Sequence, residues 1–151
     1  MEQASGAPVD HPKPAPKGST PLWPVSVKGV LFIGADIVLL KNERDEWELP
    51  GGRLEAGEEP GLCLAREISE ELGIDVKIAD LLDCWRYPVL PTKEVLIITF
   101  GVQPLSSADL RLSHEHKELG RFPVSGIDSL PMPEAYRRSI RDWADRLGLK
   151  R

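Results

Sequence analysis

The stretch LPGGRLEAGEEPGLCLAREISEELGI, residues 49 to 74, concentrates six glutamates behind a pair of glycines. Three of them, Glu67, Glu70 and Glu71, stand three and four residues apart, so on a helix Glu67 faces both of the others. Each facing pair of like charges costs ~0.2–0.5 kcal/mol on an isolated helix. Negative charge toward the C-terminal half also opposes the helix dipole. Local stability therefore does not account for the arrangement. A bound hard cation does, because Mg2+ takes oxygen ligands and tolerates a partly hydrated shell. The competing reading is a solvated acidic face on a helix built from good helix formers.

The elements that must position these carboxylates follow from pattern. Pro60 at a first-turn position and Gly73 at the end bracket a helix over residues 60–73. On a helical wheel Leu62, Leu64, Ala65, Ile68 and Leu72 share one arc, and Glu67, Glu70 and Glu71 fall on the other side. Cys63 lies among the glutamates; a small buried or half-buried thiol is a better reading than a zinc ligand. Upstream, VSVKGVLFI and DIVLLKN are apolar, β-branched runs joined around Gly34-Ala35, which predicts a hairpin. NERDEW is a polar loop and ELPGG a short extended piece ending in a turn, where Gly51 and Gly52 would let the backbone turn tightly and come close to a metal or phosphate, a purely structural turn being the equal alternative. Trp47, just ahead of that turn, is assigned to the core rather than to stacking on a base.

Downstream, DVKIADLLDCWRY and EVLIITFGVQ are two further strands, and the prolines of YPVLP are expected to break the chain between them. The polar segment SSADLRLSHEHKELGRFPV leads into a short edge strand at LGRFPV. PEAYRRSIRDWADRL closes the chain as an amphipathic helix whose Tyr136, Ile140, Trp143 and Leu147 recur at core spacing. Residues 1–24 are rich in Pro, Gly, Ser and Ala and are expected to form an extended arm, with Leu22 and Trp23 anchored on the domain. Residues 25–151 then form one domain.

Bulk properties narrow the function. A formal charge of −5 provides no broad positive field, which argues against general nucleic-acid binding and against an acidic membrane surface. The longest apolar run, GVLFIGADIVLL, is interrupted by Asp36 and is too short to span a bilayer. The N-terminus has no basic start followed by an apolar core, so no secretion signal is expected. Cys63 and Cys84 form neither a metal spacing nor a disulfide framework, and a reduced cytoplasmic setting is the expectation.

Gly52, Glu58, Arg66, Glu67, Ile68, Glu70, Glu71, Gly73 and Ile74 together resemble the signature of the Nudix hydrolase family. Every fixed place is satisfied: Gly, five residues, Glu, seven residues, Arg-Glu, aliphatic, any, Glu-Glu, any, Gly, aliphatic. At average residue frequencies a chance match in such a chain is rarer than roughly one in a million. The looser likeness, through WELPGG and the order of strands and the last helix, covers residues 25 to 147. It implies an α/β fold, an α/β/α sandwich around a mixed, partly antiparallel sheet.

The resemblance further implies Mg2+, with Mn2+ as a substitute, held by Glu67, Glu70, Glu71 and the carbonyl of Gly51. The implied reaction is attack of water on a pyrophosphate linkage in a nucleoside diphosphate derivative, so the partner is a small nucleotide. Gly52, Glu58, Arg66 and Gly73 match places that shape the site. Glu115 is the favoured base for activating water, because the Ser-His-Glu-His segment resembles a loop of some dinucleoside polyphosphate hydrolases. Glu118 or a glutamate of the signature is the alternative. His114 and His116 are candidates for phosphate contact or proton transfer, exposed loop histidines being the plainer reading. Arg53 and, less directly, Arg44 could fork onto phosphate oxygens.

ADP-ribose-like compounds, dinucleoside polyphosphates and nucleoside triphosphates remain open as substrates, and a homodimer is compatible with the chain. The rival from another class is a Nudix-fold nucleotide-binding or regulatory domain without turnover. Such domains usually lose signature glutamates, which this chain keeps. A calcium or zinc helix lacks its EF-hand or Cys/His spacing here.

Overall fold

A computed structural model describes residue 18 and residues 20–106, 109–111, 116 and 118–149. Seven strands and two α-helices follow in the order β1 (Val25–Ile33), β2 (Asp36–Lys41), β3 (Trp47–Glu48), β4 (Gly51–Arg53), α1 (Pro60–Leu72), β5 (Val76–Leu90), β6 (Lys93–Pro104), β7 (Glu118–Pro123) and α2 (Glu134–Leu147), with a 3-10 turn at Val124–Ser129 before α2. The expected hairpin is present: β1 and β2 pair antiparallel across Gly34, which has a left-handed φ of 62°. β1 then runs parallel to β6 from Val25↔Leu96 to Leu31↔Val102, and β6 runs antiparallel to β5. The sheet is therefore mixed, and β7 extends it by pairing along β2.

Alternation along β1 divides the core into two halves. Val27 and Leu31 join Leu64, Ile68 and Leu72 of α1 in one apolar cluster. Val30 and Phe32 join Tyr136, Ile140 and Trp143 of α2 in the other. Helix, sheet and helix form the three layers that the sequence predicts. Gly101 lets α2 approach closely, since a Cβ there would lie 2.3 Å from the Trp143 ring.

Two expectations need correction. The prolines of YPVLP do not end the strand: β5 continues through Tyr87, Pro88 and Val89 to Leu90, and the chain turns only at Pro91-Thr92. Proline is admissible because, among the described residues, β5 is an edge strand bonded only to β6, so Pro88 can leave its missing N–H on the open side. The register shifts between Pro88 and Leu90 where the ladder adjusts. Leu22 is not anchored. It is 94% exposed, whereas Trp23 is partly covered and Pro24 accepts a backbone bond from Leu96. Residues 1–17 of the proposed arm lie outside the described residues.

Candidate active site

α1 sits as its sequence requires at both ends: Pro60 occupies the first turn, and Gly73 caps the C-terminus in the left-handed region with φ 69°. Its rotation differs from the simple wheel. The buried residues are Cys63, Leu64, Ile68, Glu71 and Leu72, while Leu62 is 70% exposed. The covered arc is centred nearer Leu64 and takes in part of the acidic side. The cause is β4, which packs over that edge. A Cβ on Gly52 would come within 2.4 Å of the Glu67 carboxylate, so only glycine admits this closeness. Gly51 has a φ of 144°, and a Cβ there would meet the Val27 carbonyl oxygen.

The three signature glutamates consequently occupy three environments. Glu70 is exposed, Glu67 is mostly covered, and Glu71 is 3% exposed. Arg66 stands among the first two. Its Nε and Nη2 donate to Glu58 at 2.8 and 3.0 Å, and Nη1 donates to Glu67 and to Glu70, each at 3.2 Å. This hub offsets the repulsion that spacing alone suggests. Hydrogen bonds from Arg66 hold the Glu58 carboxyl down at about 2 and push the Arg66 guanidinium up.

Glu71 is turned the other way. One oxygen accepts the Gly51 N–H at 3.1 Å, and the other, Oε2, is buried without a hydrogen-bond partner among the described residues. Burial raises its carboxyl to about 7 against the opposing pull of Lys28, His116 and the Gly51 N–H. Lys28 is itself buried on β1. Burial alone would lower its ammonium, but Tyr136, Glu48, Glu71 and Glu67 outweigh it and the net shift is upward. Glu48 works against burial in the same way, and the Lys28 charge with the His116 and Asn42 hydrogen bonds brings it down to about 2. His116 Nε2 lies 2.9 Å from Glu48 Oε1, and its Nδ1 faces Glu71 Oε2 at 3.8 Å. The hydrogen bond to Glu48 raises the imidazole.

Lys28 and Glu48 were not expected from sequence. The available signal was a lysine within VSVKGVLFI, since a charge in a buried strand requires partners. Among the expected residues, Arg53 ends β4 and lines an open cavity of about 550 Å³ with Trp23, Leu54 and Glu58. Arg44 stands apart, bonded to Glu46 at 3.3 Å and facing Tyr87. Glu118 lies on β7 with Lys41 at 3.9 Å. Trp47 is buried edge-on to Phe122, and Cys63 is buried with its thiol pushed up to about 11 by burial. Glu115 and His114 lie outside the described residues.

A hard cation fits the chemistry of this donor set, which is all oxygen and includes one buried carboxylate oxygen without a hydrogen-bond partner among the described residues. Among the described residues, however, no three His, Cys, Asp or Glu side chains converge as a ready metal cluster. Arg66 draws Glu67 and Glu70 to one side, while the Gly51 N–H holds Glu71 on the other.

The NUDIX domain model matches residues 23–143. The chain belongs to the Nudix family. A MutT-like protein of Streptomyces ambofaciens is 30% identical to this Nudix hydrolase over 138 residues, covering 90% of this chain and 86% of that protein. An ADP-ribose pyrophosphatase of Methanocaldococcus jannaschii is 27% identical, over 79% of this chain and 72% of its own. The solved MutT protein from Methanosarcina mazei Go1 superposes with a TM-score of 0.68 at 27% identity, covering 85% of this chain and 96% of that one. Some other curated relatives match over only about a third of their length. No helix among the described residues is long and apolar enough to cross a membrane.

Proposed function

We propose that this Nudix hydrolase cleaves a pyrophosphate linkage in a nucleoside diphosphate derivative and depends on Mg2+, with Mn2+ as a substitute. The observation that carries the reading is the buried Glu71 oxygen that has no hydrogen-bond partner among the described residues, set beside Gly51-Gly52 and the covered carboxylate of Glu67. Glu67, Glu70, Glu71 and the Gly51 carbonyl are the groups that would hold the ion. When bound, a divalent ion neutralises diphosphate charge and makes a water acidic enough to attack.

The chain's own residues supply the rest. Arg66, tied to Glu58, holds the Glu67 and Glu70 carboxylates in place. The Gly51 N–H orients Glu71. Arg53, exposed at the end of β4, is placed to meet a phosphate oxygen. Glu115 is our candidate for taking the proton from water, on the sequence argument.

Among substrates, ADP-ribose-like compounds, dinucleoside polyphosphates and nucleoside triphosphates are the three to compare. The relative from M. jannaschii supports including the first. Purified chain would be incubated with all three classes, with and without Mg2+, and products separated by anion-exchange chromatography. Metal-dependent cleavage at the pyrophosphate bond of one class is expected. Nucleotide binding without cleavage of any would overturn the proposal in favour of a binding domain.

A further inference from the structure

Glu48 and His116 have no part in the signature, yet through His116 the pair reaches its most buried member. His116 comes from the segment before β7 and Glu48 from β3, 68 positions apart, and they bond at 2.9 Å with both side chains largely covered. An ionised carboxylate only accepts, so Glu48 fixes the ring by taking the Nε2 hydrogen. The opposite ring nitrogen is thereby aimed at Glu71. Both facing atoms, His116 Nδ1 and Glu71 Oε2, are buried and lack a hydrogen-bond partner among the described residues. Their separation of 3.8 Å is contact without a bond. Asn42 donates to the other Glu48 oxygen at 3.3 Å and steadies the base of the chain.

We propose that Glu48 and His116 are a positioning pair for the ion site: Glu48 orients His116, and His116 walls the outer oxygen of Glu71 into its ion-binding direction. The inference rests on the metal-dependent reading above. It assigns the work of preorganisation to residues far from the signature, as outer-shell partners do in other metal sites. Asn42, Glu48, His116, Glu71 and the Gly51 N–H form one continuous line from the β2–β3 turn to the glycine turn.

The test is direct Mn2+ binding to the full chain without nucleotide, read from the free-ion electron paramagnetic resonance signal, with thermal melts of every variant. His116→Ala should weaken Mn2+ binding by ~10-fold or more. Glu48→Gln, whose amide oxygen still accepts from Nε2, should keep most of the affinity that Glu48→Ala loses. Because Glu48 acts through His116, the double variant Glu48→Ala/His116→Ala should bind no more weakly than His116→Ala alone. His116→Gln serves if the alanine variant does not fold. Unchanged Mn2+ affinity in the histidine variants, or fully additive losses in the double variant, would overturn the pairing while leaving the metal reading intact. Absence of Mn2+ binding by the unaltered chain would overturn both.

Discussion

α1 and α2 are both amphipathic, flank the same sheet and end in a left-handed glycine, yet they treat charge in opposite ways. On α2 the charges are matched. Arg137 pairs with Glu134, Arg146 with Asp142 and Asp80, Arg138 with Asp83, and Arg141 with Asp128 and Glu134. On α1 a single Arg66 serves Glu55, Glu58, Glu67 and Glu70, and Glu71 is buried beyond its reach. A helix kept for packing settles its outer face locally. α1 instead leaves an excess of one sign on its acidic edge, shared among Arg66 and the Lys28 and His116 groups that face Glu71.

The contrast predicts where damage will appear. Glu71→Gln keeps an acceptor for the Gly51 N–H, so the fold should persist while turnover falls by roughly a thousandfold, about 4 kcal/mol of transition-state stabilisation. Steady-state kinetics beside a melting curve checks this, and the exposed Glu70→Gln should behave alike. Near-normal turnover in both would erase the distinction between the helices. Ile140→Ala on α2 should do the reverse, costing about 3 kcal/mol of stability through the cavity it leaves. Its activity per folded molecule should be unchanged, as chemical denaturation combined with assay would show.

The acid side offers a finer test. The Glu58 carboxyl is held near 2, below its ordinary value of 4.5. Its contribution to stability is present above pH 4.5 and is lost as pH falls toward 2. The melting-temperature gap between the unaltered chain and Glu58→Gln should therefore narrow across that window, and a constant gap would deny Arg66 its role as hub. The smallest effect belongs to Asp142→Ala, which breaks an exposed pair with Arg146 on α2: a melting curve should barely shift and the kinetics should not change.

How much of this was legible in the sequence depends on range. The helix at Pro60–Leu72, the Gly34 hairpin and the core positions Tyr136, Ile140 and Trp143 of α2 are written in local spacing and turn residues, and they stand as expected; Leu147, expected on the same face, is instead 37% exposed at the last turn of α2, beyond the edge of the core. The acidic signature is local too, and it alone pointed to the family. Which edge of α1 would be covered was not local. It was settled by the glycine turn of β4 docking beside Glu67, so Glu71 and Cys63 are buried and Leu62 is not. Lys28 and Glu48 were harder still, and His116, a named candidate whose plainer reading was an exposed loop histidine, is instead largely covered; three separate segments must fold before these residues meet. The strand through Pro88 was misread because edge position, a property of the whole sheet, decides whether proline is tolerated.

That same strand has a bearing on how the protein survives at high concentration. β5 is the longest of the described strands, and among the described residues no strand pairs with its outer side. Pro88 removes one donor, and three irregularities in register, after Ile78, Leu81 and Pro88, bend the ladder out of the flatness that stacking needs. Straightening it, by replacing the proline with a β-branched residue, would make the margin a better template for fibrillar self-association.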